Sequence, residues 1–145
     1  MPRKERTTKL YKEHATRLHS RIVRGRVMSC EAFDAGVFTN PCASHGPSRF
    51  QCAHIIHRQY SATRTHLDNA WCLCAGHHLM VDNNADYWMK LVQATCGEGH
   101  VESLRQLANA GPPFHPVRLF WISEFDRLRA IAVDEGADLK GIPKS

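Results

Sequence analysis

The amino-acid sequence predicts an α+β fold, in which a short β-hairpin and the helix after it are held together by zinc. Cysteine and histidine residues cluster around two short apolar segments in the middle of the chain. The N-terminal segment is strongly basic and has helical periodicity, and apolar residues recur at helical spacing in the C-terminal half. We therefore expect a small zinc-stapled core between a basic N-terminal helix and a mostly helical C-terminal half.

Length and composition indicate one domain, spanning 1–145. The chain has 145 residues, of which 43% are apolar and 23% charged, as is usual for globular proteins. It contains no apolar run of about 18 residues and no secretory signal, so neither a membrane partner nor export is expected. Six cysteines in a reducing cytoplasm favour metal ligation over disulfides.

Positive charge is concentrated near the N-terminus. Residues 1–26 contain nine Lys and Arg against two Glu, whereas the whole chain carries a net charge of +5. Such a basic segment is expected to contact phosphates, and a solvated tail is the alternative. We expect disorder in 1–10 and a basic amphipathic helix over 10–26. The candidate nucleic-acid contacts on this helix are Arg21, Arg24 and Arg26.

The central segment predicts a loop, a β-hairpin and a helix. Residues 29–48 are rich in Gly, Pro, Ser and Asn and are expected to form a long loop. The apolar segments 49–56 and 70–74 are expected to form two strands, joined by the polar residues 62–69. A helix is expected to follow Gly76.

Three further helices are predicted in the C-terminal part. Residues 86–95 and 101–111 have helical periodicity and end at breakers that contain Gly or Pro, and 117–136 has the apolar stripe of a long amphipathic helix. Large aromatic residues on such stripes usually lie in the core rather than in a binding site. The residues expected to do so are Trp88, Trp121 and Phe125.

The spacing of cysteine and histidine predicts a structural zinc site. Cys74 and His77 form a C-x-x-H turn with an internal glycine, and such a turn supplies two ligands of a tetrahedral site. Two alternatives are open for the other pair. Cys30 and Cys42 would complete a Cys3His set, whereas Cys42 and His45 would form a second C-x-x-H turn with tidier spacing. Buried free cysteines without metal are a third interpretation.

A second group of polar residues surrounds the helix after this turn. His78 and Asp82 are four residues apart and share one helix face, whereas His77 is rotated by about 100°. His77 can therefore turn toward the zinc ligands while His78 and Asp82 face the hairpin. His54 on the first strand suits a general base for metal-assisted hydrolysis, with Asn69 fixing its imidazole.

The order His54, Asn69 and His78, within the segments CAHII and LDNAWCLCAGHH, resembles the HNH endonuclease family with its ββα-metal (His-Me finger) core. The likeness is to small phage and prophage members that carry a zinc knuckle. It covers 19–95 and leaves 98–145 as a helical extension. It implies that His54 is the general base, Asn69 the middle Asn and His78 a metal ligand, and it favours the Cys30 set of zinc ligands over the His45 alternative.

The resemblance implies a metal-dependent DNA endonuclease that would act in a bacterial host cytoplasm if it is phage encoded. A catalytic Mg²⁺, Mn²⁺ or other divalent ion would be bound by His78 and Asp82, beside one structural Zn²⁺. Arg58 matches an arginine that would contact the scissile phosphate. DNA is the implied substrate, and a phage terminase is a further implied partner.

The sequence departs from the family pattern at Ala53, where many members carry an Asp or His metal ligand. This departure implies that fewer protein groups hold the ion, that His57 contributes, or that the activity is weakened. A zinc-stabilised DNA-binding module with a degenerate nuclease site is therefore the alternative function. A structural zinc protein that mediates protein contacts is a third.

Overall fold

The computed structural model describes residues 6–42, 50–113 and 116–144. Helices and a two-stranded antiparallel sheet make up the described ranges, which confirms the mixed α+β class. None of the helices in these ranges combines the length and hydropathy that a membrane crossing requires. In chain order the elements are α1 (Thr8–Val27), α2 (Glu31–Asp34), β1 (Phe50–His54), α3 (Ser61–Arg64), β2 (Ala70–Cys74), α4 (Ala75–Asn83), α5 (Ala85–Thr95), α6 (Glu98–Ala110) and α7 (Val117–Asp134).

Helix α1 begins at Thr8, inside the segment 1–10 that was expected to be disordered. The cause is a cap, because the backbone N–H of Leu10 donates to the Thr7 hydroxyl at 3.2 Å. The helix ends at Met28, whose φ of 58° is left-handed. Its buried face has the predicted helical spacing and consists of His14, Ala15, Leu18, His19, Ile22 and Val23.

Strands β1 and β2 form the predicted hairpin, with Cys52 opposite Cys72 and His54 opposite Ala70. The predicted loop 29–48 contains one helical turn, α2. The Glu31 carboxylate on this turn accepts the Cys72 backbone N–H at 2.7 Å, so α2 covers the outer edge of β2. The polar connection between the strands contains a second helical turn, α3.

Two apolar clusters hold these elements together. The first surrounds the hairpin and packs it against α2, α4, α5 and α6, with Trp71 and Leu91 among its buried members. The second lies between α1 and α7 and contains Leu18, Phe125 and Leu128, none of which is exposed. Helix α1 therefore joins the hairpin on one side and α7 on the other.

The aromatic residues largely follow the prediction. Trp121 and Phe125 are buried between α1 and α7. Trp88 is only half-buried, and its indole N–H donates to the Ile55 carbonyl at 3.2 Å. This bond holds the Trp88 ring beside the end of β1, with part of its surface open to a cavity.

His19 links α1 to the hairpin and its connection. Its Nε2–H donates to the His66 carbonyl at 2.9 Å, and the Cys52 thiol lies 3.7 Å from its Nδ1. The ring has no exposed surface, and burial lowers the pKa of His19 to about 4. The neutral imidazole satisfies both contacts, since one ring nitrogen donates and the other accepts.

The titration of His19 predicts a loss of stability in mild acid. Between its ordinary pKa of 6.5 and the folded-state pKa of about 4, the unfolded chain binds a proton that the folded chain excludes. Stability must therefore fall as the pH falls through this interval, by on the order of 3 kcal/mol for this residue. We expect urea denaturation at a series of pH values to show this fall in the wild type.

The matched variant is His19→Asn, whose amide can still donate to the His66 carbonyl but does not titrate in this range. Wild type and variant should differ less in free energy of unfolding at pH 4 than at pH 7. A difference that is constant across this range would show that His19 does not titrate as described.

Candidate metal centre and active site

Four side chains with metal-ligand chemistry converge where β2 passes into α4. Cys30 precedes α2, Cys42 lies in the loop beyond it, Cys74 ends β2, and His77 is in the first turn of α4. Their ligand atoms all lie within 4.8 Å of one another, in a largely buried position. Within the described residues this is the one group of three or more Cys, His, Asp or Glu side chains placed to hold a metal ion.

The distances in this cluster fit a tetrahedral metal site. The Sγ atoms of Cys30 and Cys42 lie 3.4 and 3.9 Å from His77 Nδ1. Zinc bonds sulfur at about 2.3 Å and nitrogen at about 2.0 Å, which separates tetrahedral ligands by roughly 3.5–3.8 Å. The four side chains can therefore hold a structural metal ion such as zinc.

The surroundings of His77 orient its ring for such a role. Its Nε2–H donates to the Asn40 carbonyl at 3.1 Å, which leaves Nδ1 facing the sulfur atoms. The Phe38 ring stacks on the imidazole with centroids 4.4 Å apart and planes 4° apart. Histidine ligands usually donate their second N–H in this way, because the bond fixes the tautomer that binds metal.

In the absence of a cation, the Cys42 thiol ionises less readily than a free cysteine. Burial and the neighbouring sulfurs of Cys74 and Cys30 raise the pKa of Cys42 to about 12. Thiolates this close together repel one another unless a cation compensates their charge, and thiolates are the form that binds metal. The structure assembles the set that contains Cys30, and the alternative ligand His45 lies outside the described residues.

His78 and Asp82 lie on another side of α4, in a cleft of about 360 Å³. The Nδ1–H of His78 donates to Gln51 Oε1 at 2.7 Å, and its Nε2 lies 3.2 Å from Asp82 Oδ2. Elements α1, β1 and α4 and the residues after β1 line this cleft. The other predicted residues that line it are His54, His57 and Arg58.

The spacing of His78 and Asp82 suits two neighbouring ligands of one divalent ion. Ligands bound at right angles at about 2.1 Å lie about 3 Å apart, close to the 3.2 Å between Nε2 and Oδ2. Gln51 fixes the tautomer in which Nε2 carries the lone pair. A site with two protein ligands suits an exchangeable ion that completes its shell with water and substrate oxygens.

His54 lies at the end of β1, where its Nε2–H donates to the Arg64 carbonyl at 2.8 Å. This bond leaves Nδ1 as the proton acceptor of the ring. Burial lowers the pKa of His54, although the bond to Arg64 acts in the opposite direction. The imidazole is therefore neutral near pH 7, as a general base must be.

Asn69 acts through the backbone rather than on the His54 ring. It is fully buried, its Oδ1 accepts the Ile56 N–H at 2.7 Å, and its Nδ2 donates to the carbonyls of Ile56 and Thr63 at 3.1 and 2.9 Å. The ring itself is oriented by the Arg64 carbonyl. Because Thr63 directly precedes Arg64, Asn69 braces the turn that supplies this carbonyl.

The four arginines predicted to contact nucleic acid lie at two separate sites on the protein. Arg58 lines the cleft beside His54, whereas Arg21, Arg24 and Arg26 line a separate cavity near the end of α7. Arg26 pairs with Glu135 through both Nε and Nη2, at 2.9 and 2.6 Å. In addition, the Arg21 guanidinium donates to the Asp138 carbonyl at 3.0 Å. Only Arg58 of this set therefore borders the cleft.

The sequence did not predict three contacts that position the cleft residues. The His19 ring stacks on His54 with centroids 5.4 Å apart, Gln51 orients His78, and the Arg64 carbonyl orients His54. The helical spacing of His19 with Ala15, Ile22 and Val23 was a usable signal for its burial. The contacts of Gln51 and Arg64 depend on how the hairpin packs on α4 and on the path of its long connection, which no local pattern encodes.

Removal of the Asn69 amide should destabilise the fold. Asn69→Ala deletes three buried hydrogen bonds and leaves backbone groups of Ile56 and Thr63 without partners. We expect the free energy of unfolding to fall by roughly 2–4 kcal/mol, measured by urea denaturation. Asn69→Asp should be comparably damaging, because a carboxylate would replace the amide donor opposite two carbonyls. The matched control is Asn109→Ala, on the exposed surface of α6; an Asn69→Ala variant as stable as this control would contradict the bracing role.

No protein-family model, curated protein or solved structure matches the chain. The candidate functional residues surround the start of α4 and the end of β1. They form a Cys3His cluster that can hold a structural metal ion, and a cleft that His54, His78 and Asp82 line together.

Proposed function

We propose that the protein is a metal-dependent DNA endonuclease of the HNH type, which hydrolyses phosphodiester bonds. The observation that carries this proposal is the cleft that His54, His78 and Asp82 line together. His78 and Asp82 lie on α4, and the Cys3His cluster is at the start of that helix. His54 at the end of β1, Asn69 directly before β2 and His78 in α4 follow one another in the order that the sequence resemblance implies.

His54 serves as the general base in this mechanism. Its Nδ1 takes a proton from water as the water oxygen attacks phosphorus and the bond from phosphorus to the 3′ oxygen breaks. The ring becomes an imidazolium, and its Nε2–H bond to the Arg64 carbonyl strengthens with the added charge. The lowered pKa keeps the base in its reactive form near neutral pH.

His78 and Asp82 bind the catalytic divalent ion, Mg²⁺ or Mn²⁺. When bound, this ion supplies polarisation of the phosphate and stabilisation of the leaving oxygen. Gln51 holds the His78 ring in position, and the exposed guanidinium of Arg58, which lines the same cleft, contacts the phosphate. The number of protein ligands is small because Ala53 supplies none.

The Cys3His cluster binds zinc and fixes the start of α4. Cys74 is the last residue of β2, and its Sγ also accepts the backbone N–H of His77 at 3.4 Å. Zinc bound at Cys30, Cys42, Cys74 and His77 would tie three segments of the chain to this point. The positions of His78, which directly follows His77, and of Asp82 further along α4 then depend on the cluster.

Loss of a cluster ligand should remove one zinc ion per chain. We expect Cys74→Ser to lower the zinc content from about one equivalent to near zero and the unfolding midpoint by several degrees, because metal binding contributes folding free energy. Elemental analysis and thermal unfolding measure the two effects. Cys96→Ser is the matched control, since Cys96 is half-buried outside the cluster and should leave the zinc content unchanged.

Wild-type protein without bound zinc, after expression in zinc-supplemented medium, would falsify the assignment of the cluster. Equal zinc loss in the two variants would instead point to a general folding defect.

Plasmid nicking with Mg²⁺ or Mn²⁺ tests the catalytic residues. We expect His54→Ala and His78→Ala each to lower the nicking rate by at least about 100-fold, because one loses the base and the other an ion ligand. His100→Ala serves as the histidine control outside the cleft and should nick like the wild type. Nicking by His54→Ala at the wild-type rate would show that another group is the base.

The alternative function is a zinc-stabilised DNA-binding module with a degenerate nuclease site. Ala53, which has 1% of its surface exposed and packs in the core, is the observation that favours it. This alternative predicts DNA affinity that falls steeply with salt but no cleavage with any divalent ion. A purely structural zinc protein would lack that salt-dependent affinity.

A further inference from the structure

A second cavity adjoins the cleft of His54, His78 and Asp82. Its volume is about 540 Å³, within the range of roughly 300–1,000 Å³ that is typical of small-molecule sites. We call it the side cavity. It lies between the residues after β1, the junction of α4 with α5, and α6. Because His54, His57 and Asp82 line both spaces, the side cavity opens onto the residues assigned above to phosphate hydrolysis.

The walls of the side cavity combine aromatic rings with amides. Trp88 is half-buried and held in place by its bond to the Ile55 carbonyl, and Tyr60 is 39% exposed. Asn83 donates its amide N–H to the Leu79 carbonyl at 2.9 Å, which leaves its side-chain oxygen as an acceptor. The other neutral amide side chains of the lining belong to Gln59, Asn84 and Asn109.

Arg105 gives the side cavity a positive charge. It projects from the exposed face of α6 and makes no hydrogen bond or ion pair with the described part of the chain. Asp82 is the one carboxylate of the lining, and the proposed function commits it to the divalent ion. The guanidinium is therefore available to a bound anion, and it suits a phosphate because it can donate two parallel hydrogen bonds.

We infer that the side cavity binds a nucleotide whose base is unstacked, next to the scissile phosphate. The substrate class is then DNA with unpaired bases, such as a single strand, a flap or a mispaired site, rather than regular duplex. This inference rests on the proposed function for the position of the scissile phosphate. Aromatic surfaces stack bases of any sequence, and side-chain amides can donate to and accept from a base edge.

Unpaired DNA is favoured because its bases reach such a cavity without the loss of a base pair. A duplex must first unstack and unpair the nucleotide, and the cost is smallest where the base is mismatched or already single-stranded. Arg105 would contact the phosphate of the unstacked nucleotide, while Arg58 lies at the cleft itself. The two arginines would thus bind neighbouring phosphates of one strand.

Fluorescence titration with oligonucleotides that carry 2-aminopurine tests this inference without the need for cleavage. The probe base is placed in a single strand, in a one-nucleotide bulge or in a perfect duplex, and no divalent ion is added. We expect the wild type to bind the unpaired probes at least about tenfold more tightly than the duplex. Preferential cleavage of the same strands with Mg²⁺ or Mn²⁺ is the second readout.

Two substitutions locate the binding. Arg105→Gln should weaken binding of the unpaired probes about five- to tenfold and change duplex binding little. Trp88→Leu should weaken binding of the unpaired probes about 5- to 100-fold, whereas Trp88→Phe should retain most of the affinity because an aromatic face remains. The matched control is Lys140→Gln, which removes one exposed positive charge that does not line the side cavity. If Trp88→Leu fails to fold, Arg105→Gln decides the test.

The outcomes separate this inference from the proposed function. Equal affinity for paired and unpaired probes, or equal effects of Arg105→Gln and Lys140→Gln, overturns the inference even if His54-dependent nicking is observed. Conversely, an Arg105-dependent preference for unpaired probes upholds the inference as a binding site even if no divalent ion supports cleavage, in which case the proposed function fails.

Discussion

The convergence of three cysteine sulfurs and one imidazole at the junction of β2 and α4 is the constraint on which the cleft depends. Cys74 ends the strand and caps the helix, so the direction of α4 relative to the hairpin is set at one residue. Successive helix residues are rotated by about 100°, so a helix that turns His77 into the cluster must direct His78 elsewhere. The orientation of His78 and Asp82 is thus a geometric consequence of the cluster.

The opposite wall of the cleft is held by different means. The buried Asn69 side chain bonds to the backbone of Ile56 and Thr63 and so stabilises the connection between the two strands. The Arg64 carbonyl in this connection accepts the hydrogen bond from His54. His19 reaches the same region from α1 and stacks on the His54 ring. Side-chain amides and backbone carbonyls therefore position one wall, whereas the Cys3His cluster positions the other. A change in one need not disturb the other directly, since their supporting contacts are separate.

Local signals in the sequence were sufficient for most elements. The strand 70–74 and the start of the last helix at Val117 coincide with the predicted limits, because a short apolar run and Pro or Gly breakers are encoded within a few residues. The start of α1 depended on a single hydroxyl cap at Thr7, which the broader charge pattern obscured. The single-turn helices α2 and α3 are too short to leave a periodic signal.

The parts of the candidate site that could not be predicted from the sequence depend on contacts between residues far apart in the chain. Spacing along the chain could not choose between Cys30 and His45, because the choice depends on how the chain around α2 folds back toward β2. Formal charge likewise identified Arg26 as a phosphate contact, whereas the fold pairs it with Glu135, a carboxylate 109 residues away. Contacts of this kind arise from packing and register, and neither composition nor periodicity records them.

The packing of α1 against α7 affects the order in which the parts of the chain can fold. The hairpin and the Cys3His cluster are complete at His77, whereas α7, which packs on the other side of α1, begins only at Val117, and such long loops close slowly. Thr16, His19 and Ser20 of α1 nevertheless form part of the cleft wall. A nascent chain could thus assemble its Cys3His cluster before α7 docks on α1, so the wall of the cleft that α1 supplies would be the last to be fixed.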